Sequence, residues 1–99
     1  MVEENGTDVD DNGADEASAD DIQPMSFDIF VLSLNASALL HLGDGGDASA
    51  ADLPLARQTI DILAMIEDKT RGNLSGEEER LLHQILFDLR MRYARKVAR

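Results

Sequence analysis

Catalysis and metal binding need side chains that converge, and this sequence offers few. It contains no cysteine, which removes a disulfide framework, a thiolate metal site and a cysteine nucleophile together. The two histidines, His41 and His83, do not stand at ligand spacing, so zinc is not expected. Ser33 and Ser37 lack the strand-to-helix elbow that exposes a nucleophilic serine, and they read as small residues that allow close helix contact. Asp44 and Asp47 fall in a Gly-rich stretch, but no Glu stands where the twelfth ligand of an EF-hand belongs; the stretch reads as a solvated loop. No catalytic residue, cofactor or metal is expected.

Three residues keep a chemical possibility: Asp61, Arg90 and Arg92. Asp61 is flanked by Ile60 and Ile62, where a buried carboxylate without a partner would be costly. Counted back from a short connection between two antiparallel helices, Asp61 and Arg90 stand at heights that a long arginine side chain can bridge. A structural ion pair of Asp61 with Arg90 or Arg92 is the leading expectation. An anion site made by the two arginines is the functional rival, because guanidinium forks suit carboxylate and phosphate. Arg95, Lys96 and Arg99 extend a basic C-terminal cluster that a helix end favours for its own electrostatic reasons, and Tyr93 beside it has a ring on which a base would stack. Against a polyanion partner stands the formal charge of the 99-residue chain, -11.

Helices must position these groups. Residues 1–24 are acidic and nearly free of large apolar side chains; Met1 to Asp21 holds nine carboxylates and no Lys or Arg. Ordering such a segment costs entropy without burying surface, so an acidic disordered tail is expected, followed by one helical domain over 25–99. The fold class is all-α, with about three helices at 27–42, 53–71 and 76–97, the last two an antiparallel hairpin. Ser26 caps the first helix and Gly43 ends it. Asp52 caps the second, with Pro54 in its first turn, and Gly72 follows its end. Ser75 and Glu78 form a capping box that opens the third. Leu82, Leu86, Leu89 and Tyr93 then repeat at helical spacing, while Leu55, Ile62 and Ile66, with Ala56, Ile60 and Leu63 beside them, stripe the second helix.

The first helix differs from the other two. Its apolar residues surround it rather than marking one face. At sixteen residues it spans about 24 Å, short of the roughly 30 Å hydrocarbon core of a bilayer, and it lacks flanking bases and aromatic belts. Burial in protein is the better account.

Phe30-Val31-Leu32-Ser33-Leu34, His41-Leu42-Gly43, Gln58-Thr59-Ile60-Asp61, Lys69-Thr70-Arg71-Gly72-Asn73-Leu74 and Asp88-Leu89-Arg90-Met91-Arg92-Tyr93 occur in this order. Over about residues 26–93 the chain resembles the bacterial domain of unknown function 1844 family. The resemblance implies a short helical bacterial protein and no activity to carry over. The acidic tail and the Gly-rich form of the loop at residues 44–51 lie outside it. Arg57-Gln58-Thr59-Ile60-Asp61 also echoes chorismate mutase, but that fold wants a longer helix than the break at Gly72 allows, and enzyme is the last-ranked class.

The expected function is that of a small helical interaction protein, homo-oligomeric and most simply a homodimer. A unit of about 70 residues is near the limit at which one core suffices, and here neither disulfide nor metal helps it. Phe27, Phe30, Val31, Ser33, Leu34, Ser37 and His41 are the expected interface. A further protein partner fits the same class. The alternative is a membrane-associated or nucleic-acid-associated regulator using the apolar helix or the basic C-terminus. With no basic, apolar leader pattern at the start, the cytoplasm is the expected compartment.

Overall fold

The computed structural model describes residues 24–98 and comprises three α-helices: α1 (Phe27–Leu42), α2 (Leu53–Lys69) and α3 (Gly76–Val97). A short 3-10 turn, Ala48–Ala50, interrupts the first connection, and no strand occurs among the described residues. Of the expected acidic tail, residues 1–23 lie outside the described residues.

Each helix begins where a side chain satisfies its free N–H groups. Ser26 Oγ accepts from the Ile29 amide at 3.1 Å, and Asp52 Oδ1 accepts from Leu55 at 3.1 Å. At α3 the exchange is reciprocal. The Glu78 amide donates to Ser75 Oγ at 3.1 Å, and the Ser75 amide donates to Glu78 Oε1 at 2.8 Å. α1 ends at Gly43, whose φ of 84° lets its amide reach Leu40 O while the Asp44 amide reaches Leu39 O at 2.9 Å. These two bonds form a Schellman stop, and the left-handed position explains the glycine. The Asp52 amide then donates to His41 O at 2.6 Å, which fixes the start of α2 against the end of α1.

α2 stops at Lys69, two residues before the expected Arg71. Thr70 is the C-cap, its amide and hydroxyl both donating to Ile66 O, and beyond it the chain tightens into turns, with the Arg71 amide on Asp68 O, before the left-handed Gly72.

The three helices pack against one another around a shared core of Val31, Ala38 and Leu42 from α1, Ala56, Ile60 and Leu63 from α2, and Leu82, Ile85, Leu86 and Leu89 from α3. The α3 stripe is the expected one, with Tyr93 packed at its edge. On α2 the stripe is rotated from expectation. Thr59 is buried instead, its hydroxyl bonded to Leu55 O, while Leu55 and Ile62 stay 42% and 36% exposed.

Candidate functional site

Charge gathers at the end of the bundle where the first connection meets the last turns of α3. Asp44, immediately after the Gly43 stop, accepts from Lys96 Nζ at 2.9 Å and from Arg92 at 3.1 Å. Arg92 turns its Nε to Asp88 at 2.8 Å. The hydrogen bond from Lys96, helped by the one from Arg92, holds the Asp44 carboxyl below the usual carboxylate range; Asp88 and Asp44 in turn raise Arg92. Asp47 is also lowered, by the Ser49 hydroxyl and amide, and caps the 3-10 turn. The stretch expected to be a solvated loop is thus tied down at Asp44. No sequence-local signal marks this role, because Arg92 stands 48 residues away.

The expected pair of Asp61 with Arg90 or Arg92 is not formed. Arg92 is held by Asp44 and Asp88, and Arg90 lies exposed beside His83, Phe87, Met91 and Ala94. Because the buried stripe of α2 runs through Ala56, Ile60 and Leu63, Asp61 points outward. It lines an open groove with Leu53, Pro54, Arg57, Gln58 and Tyr93. Arg90 and Arg92 therefore do not share an anion site: they point to different sides of α3. His83 Nδ1 lies 3.5 Å from Glu67 across the hairpin, and His41 is half-buried at the end of α1. Among the described residues no three His, Cys, Asp or Glu side chains group as metal ligands.

The outer face of α1 is the other distinctive feature. The expected interface set divides in two. Val31 is fully buried and so is withdrawn from any partner, while Phe27 and Leu34 are partly buried against the core. Phe30 and Ser33 are exposed, and Ser37 and His41 are half-covered. Ile29, Leu32, Ala36 and Leu40, absent from the expected set, are exposed. Because a helix advances 100° per residue, Ile29, Ser33, Ala36 and Leu40 fall on one line opposite Val31 and Ala38. Between Asp28 and His41 no side chain carries a titratable group.

α2 also carries exposed apolar side chains. The groove with Tyr93 takes the flank that carries Pro54, Arg57, Gln58 and Asp61. At 100° per residue Leu55 and Ile62 lie on the opposite flank and Met65 on the outward line with Pro54 and Gln58, and all three are exposed. The combined apolar area of Ile29, Phe30, Leu32, Leu40 and this flank is on the order of 500 Å², at the upper end of what a monomer exposes without a partner. No described helix is long and apolar enough to cross a membrane.

Neither the curated proteins nor the solved structures contain a match to this chain. A family model described as "Domain of unknown function (DUF1844)" matches residues 24–95, which takes in α1, α2, both connections and α3 as far as Arg95. On that match, covering most of the sequence, the chain belongs to the DUF1844 family.

Proposed function

We propose that this protein is a homo-oligomeric interaction module whose subunits meet through the outer face of α1 and the flank of α2 that carries Leu55 and Ile62. The observation that carries this reading is the set of exposed apolar side chains Ile29, Phe30, Leu32, Leu40, Leu55 and Ile62. Two such faces together cover about 1,000 Å², the lower bound of a specific interface. The α1 face carries no Lys or Arg and begins beside Asp28, which disfavours an anionic membrane or nucleic acid there. A cytoplasmic setting goes with this reading, and no catalytic step is assigned to it.

The sizes along the seam specify how two copies fit. Ile29, Ser33, Ala36 and Leu40 recur at intervals of four, three and four, the spacing of paired helices. Large residues stand at the ends and small ones in the middle. Two crossing helices are closest at their centre and diverge outward, so an antiparallel pair places Ser33 against Ala36 of the partner subunit and Ile29 against Leu40 of the partner subunit. A two-fold axis between residues 34 and 35 relates these contacts.

The natural absence of cysteine makes the test clean. Ser33→Cys and Ala36→Cys proteins, mixed and oxidised, should cross-link to each other far more than either does to itself. Failure of the mixed pair to cross-link, with each variant folded, contradicts the antiparallel arrangement.

A further inference from the structure

α3 buries Leu82, Ile85, Leu86 and Leu89, yet its opposite side is also apolar. Phe87 is 64% exposed and Met91 45%, and with Ala94 and Ala98 they recur at intervals of four, three and four. Phe87, Met91 and Ala94, with His83 and Arg90, line one shallow depression on the outside of the helix. An exposed phenylalanine and methionine in one groove are the side chains from which helix-receiving surfaces are commonly built.

The charges beside this seam are of one sign. From Arg80 onward α3 carries a single carboxylate, Asp88, and that one is held by Arg92. Arg92 and Lys96 are drawn to the other side of the helix by Asp44. Arg90 and Arg95 remain exposed within a turn of Phe87, Met91 and Ala94, and Arg80 lies two turns before Phe87. An apolar seam with basic borders is complementary to a helix that carries an apolar seam with acidic borders.

We propose that the outer face of α3 receives an amphipathic helix of a different protein, its apolar stripe seated on Phe87, Met91 and Ala94 and its Glu or Asp side chains paired with Arg90 and Arg95. This surface is separate from the α1 face and does not depend on it. A second copy of α3 is a poor occupant, since self-pairing sets Arg90 and Arg95 against like charges. The acidic segment 1–21 of the chain itself supplies charge but only Met1, Val2 and Val9 as larger apolar side chains, too few and too widely spaced to fill the seam. Nucleic acid calls for a longer track of cations, and the charge of -11 opposes it.

Fluorescence anisotropy tests the proposal with the full chain and a labelled synthetic helix of about eighteen residues, Leu at its seam positions and Glu at the flanking ones. Saturable binding is expected. Phe87→Ala combined with Met91→Ala should weaken it about tenfold or more. Arg90→Glu combined with Arg95→Glu should abolish it, and a peptide with Lys in place of Glu should restore binding to that variant. All four side chains are exposed, and circular dichroism of each variant verifies that the helices persist. The proposal is overturned by absence of saturable binding, by equal binding of a poly-Glu peptide without Leu, or by indifference to these substitutions. Tighter binding of single-stranded RNA or of phosphatidylglycerol vesicles would also overturn it, assigning the face to nucleic acid or membrane.

Discussion

Replacing Asp44 by Ala removes the one carboxylate that ties the α1–α2 connection to α3. Two ion pairs are lost, to Lys96 at 2.9 Å and to Arg92 at 3.1 Å, from a side chain that is 22% accessible. Exposed single pairs contribute little, but two charges on one largely covered acceptor place the loss at about 1–2 kcal/mol after allowance for screening. In a domain of this size that lowers the melting temperature by about 4–15 °C. Arg92 keeps Asp88, so no uncompensated arginine adds to the cost. The effect has a defined pH dependence. The Asp44 carboxyl is depressed in the folded state, so its contribution is complete above the unfolded-state value near about 4 and is lost as the pH falls through the lower folded-state value. Thermal melts followed by circular dichroism, at fixed protein concentration, should show wild type and Asp44→Ala well separated at neutral pH and converging toward about pH 2. A double-mutant cycle with Lys96→Met isolates the pair. Additive single and double variants, or a stability gap that does not narrow in acid, would refute the clamp.

Asp61→Asn should change stability by less than about 0.5 kcal/mol in chemical denaturation, because the carboxylate is exposed and holds neither Arg90 nor Arg92. Ser75→Ala should cost about 1 kcal/mol in the same assay, since it breaks the capping box of α3. Gly45→Ala should cost about 1–3 kcal/mol, as the added methyl would sit 2.9 Å from the Leu40 Cα, whereas Gly76→Ala, with open space around it, should be neutral or slightly stabilising. Equal effects of the two glycine substitutions would discount the close approach at Leu40.

Helix starts were legible because their causes are local. Ser26, Asp52 and the Ser75–Glu78 pair act on amides three residues away, and Gly43 supplies the left-handed stop. The end of α2 fell two residues early because the turn leading into Gly72 already begins at Thr70, and the glycine alone does not show how many residues that turn takes. Sidedness was the larger loss. With apolar residues all round, α1 has no pattern that selects Val31, Ala38 and Leu42 for the core; their selection depends on what α2 and α3 present. The small Ala38 lies fully inside while larger Ile29, Leu32 and Leu40 remain outside. The same uncertainty on α2 made Leu55 and Ile62 look like core, and so turned Asp61 inward toward an arginine it does not meet. Asp44 was hidden for the opposite reason: its partners are local on α3 and distant in sequence. The lack of charge at every position from Ile29 to Leu40 was legible in the sequence, but not which of those positions face outward.

Self-association through the α1 face is tested most directly by sedimentation equilibrium at micromolar concentration, comparing wild type with Leu40→Glu and Phe87→Glu. Both substituted residues are exposed, so each variant should keep its helical circular dichroism. Leu40 lies at the end of the proposed seam and Phe87 on the far side of α3. Wild type and Phe87→Glu should sediment as dimers and Leu40→Glu as a folded monomer. A folded monomeric wild type, or a Leu40→Glu protein as dimeric as its parent, would contradict the account.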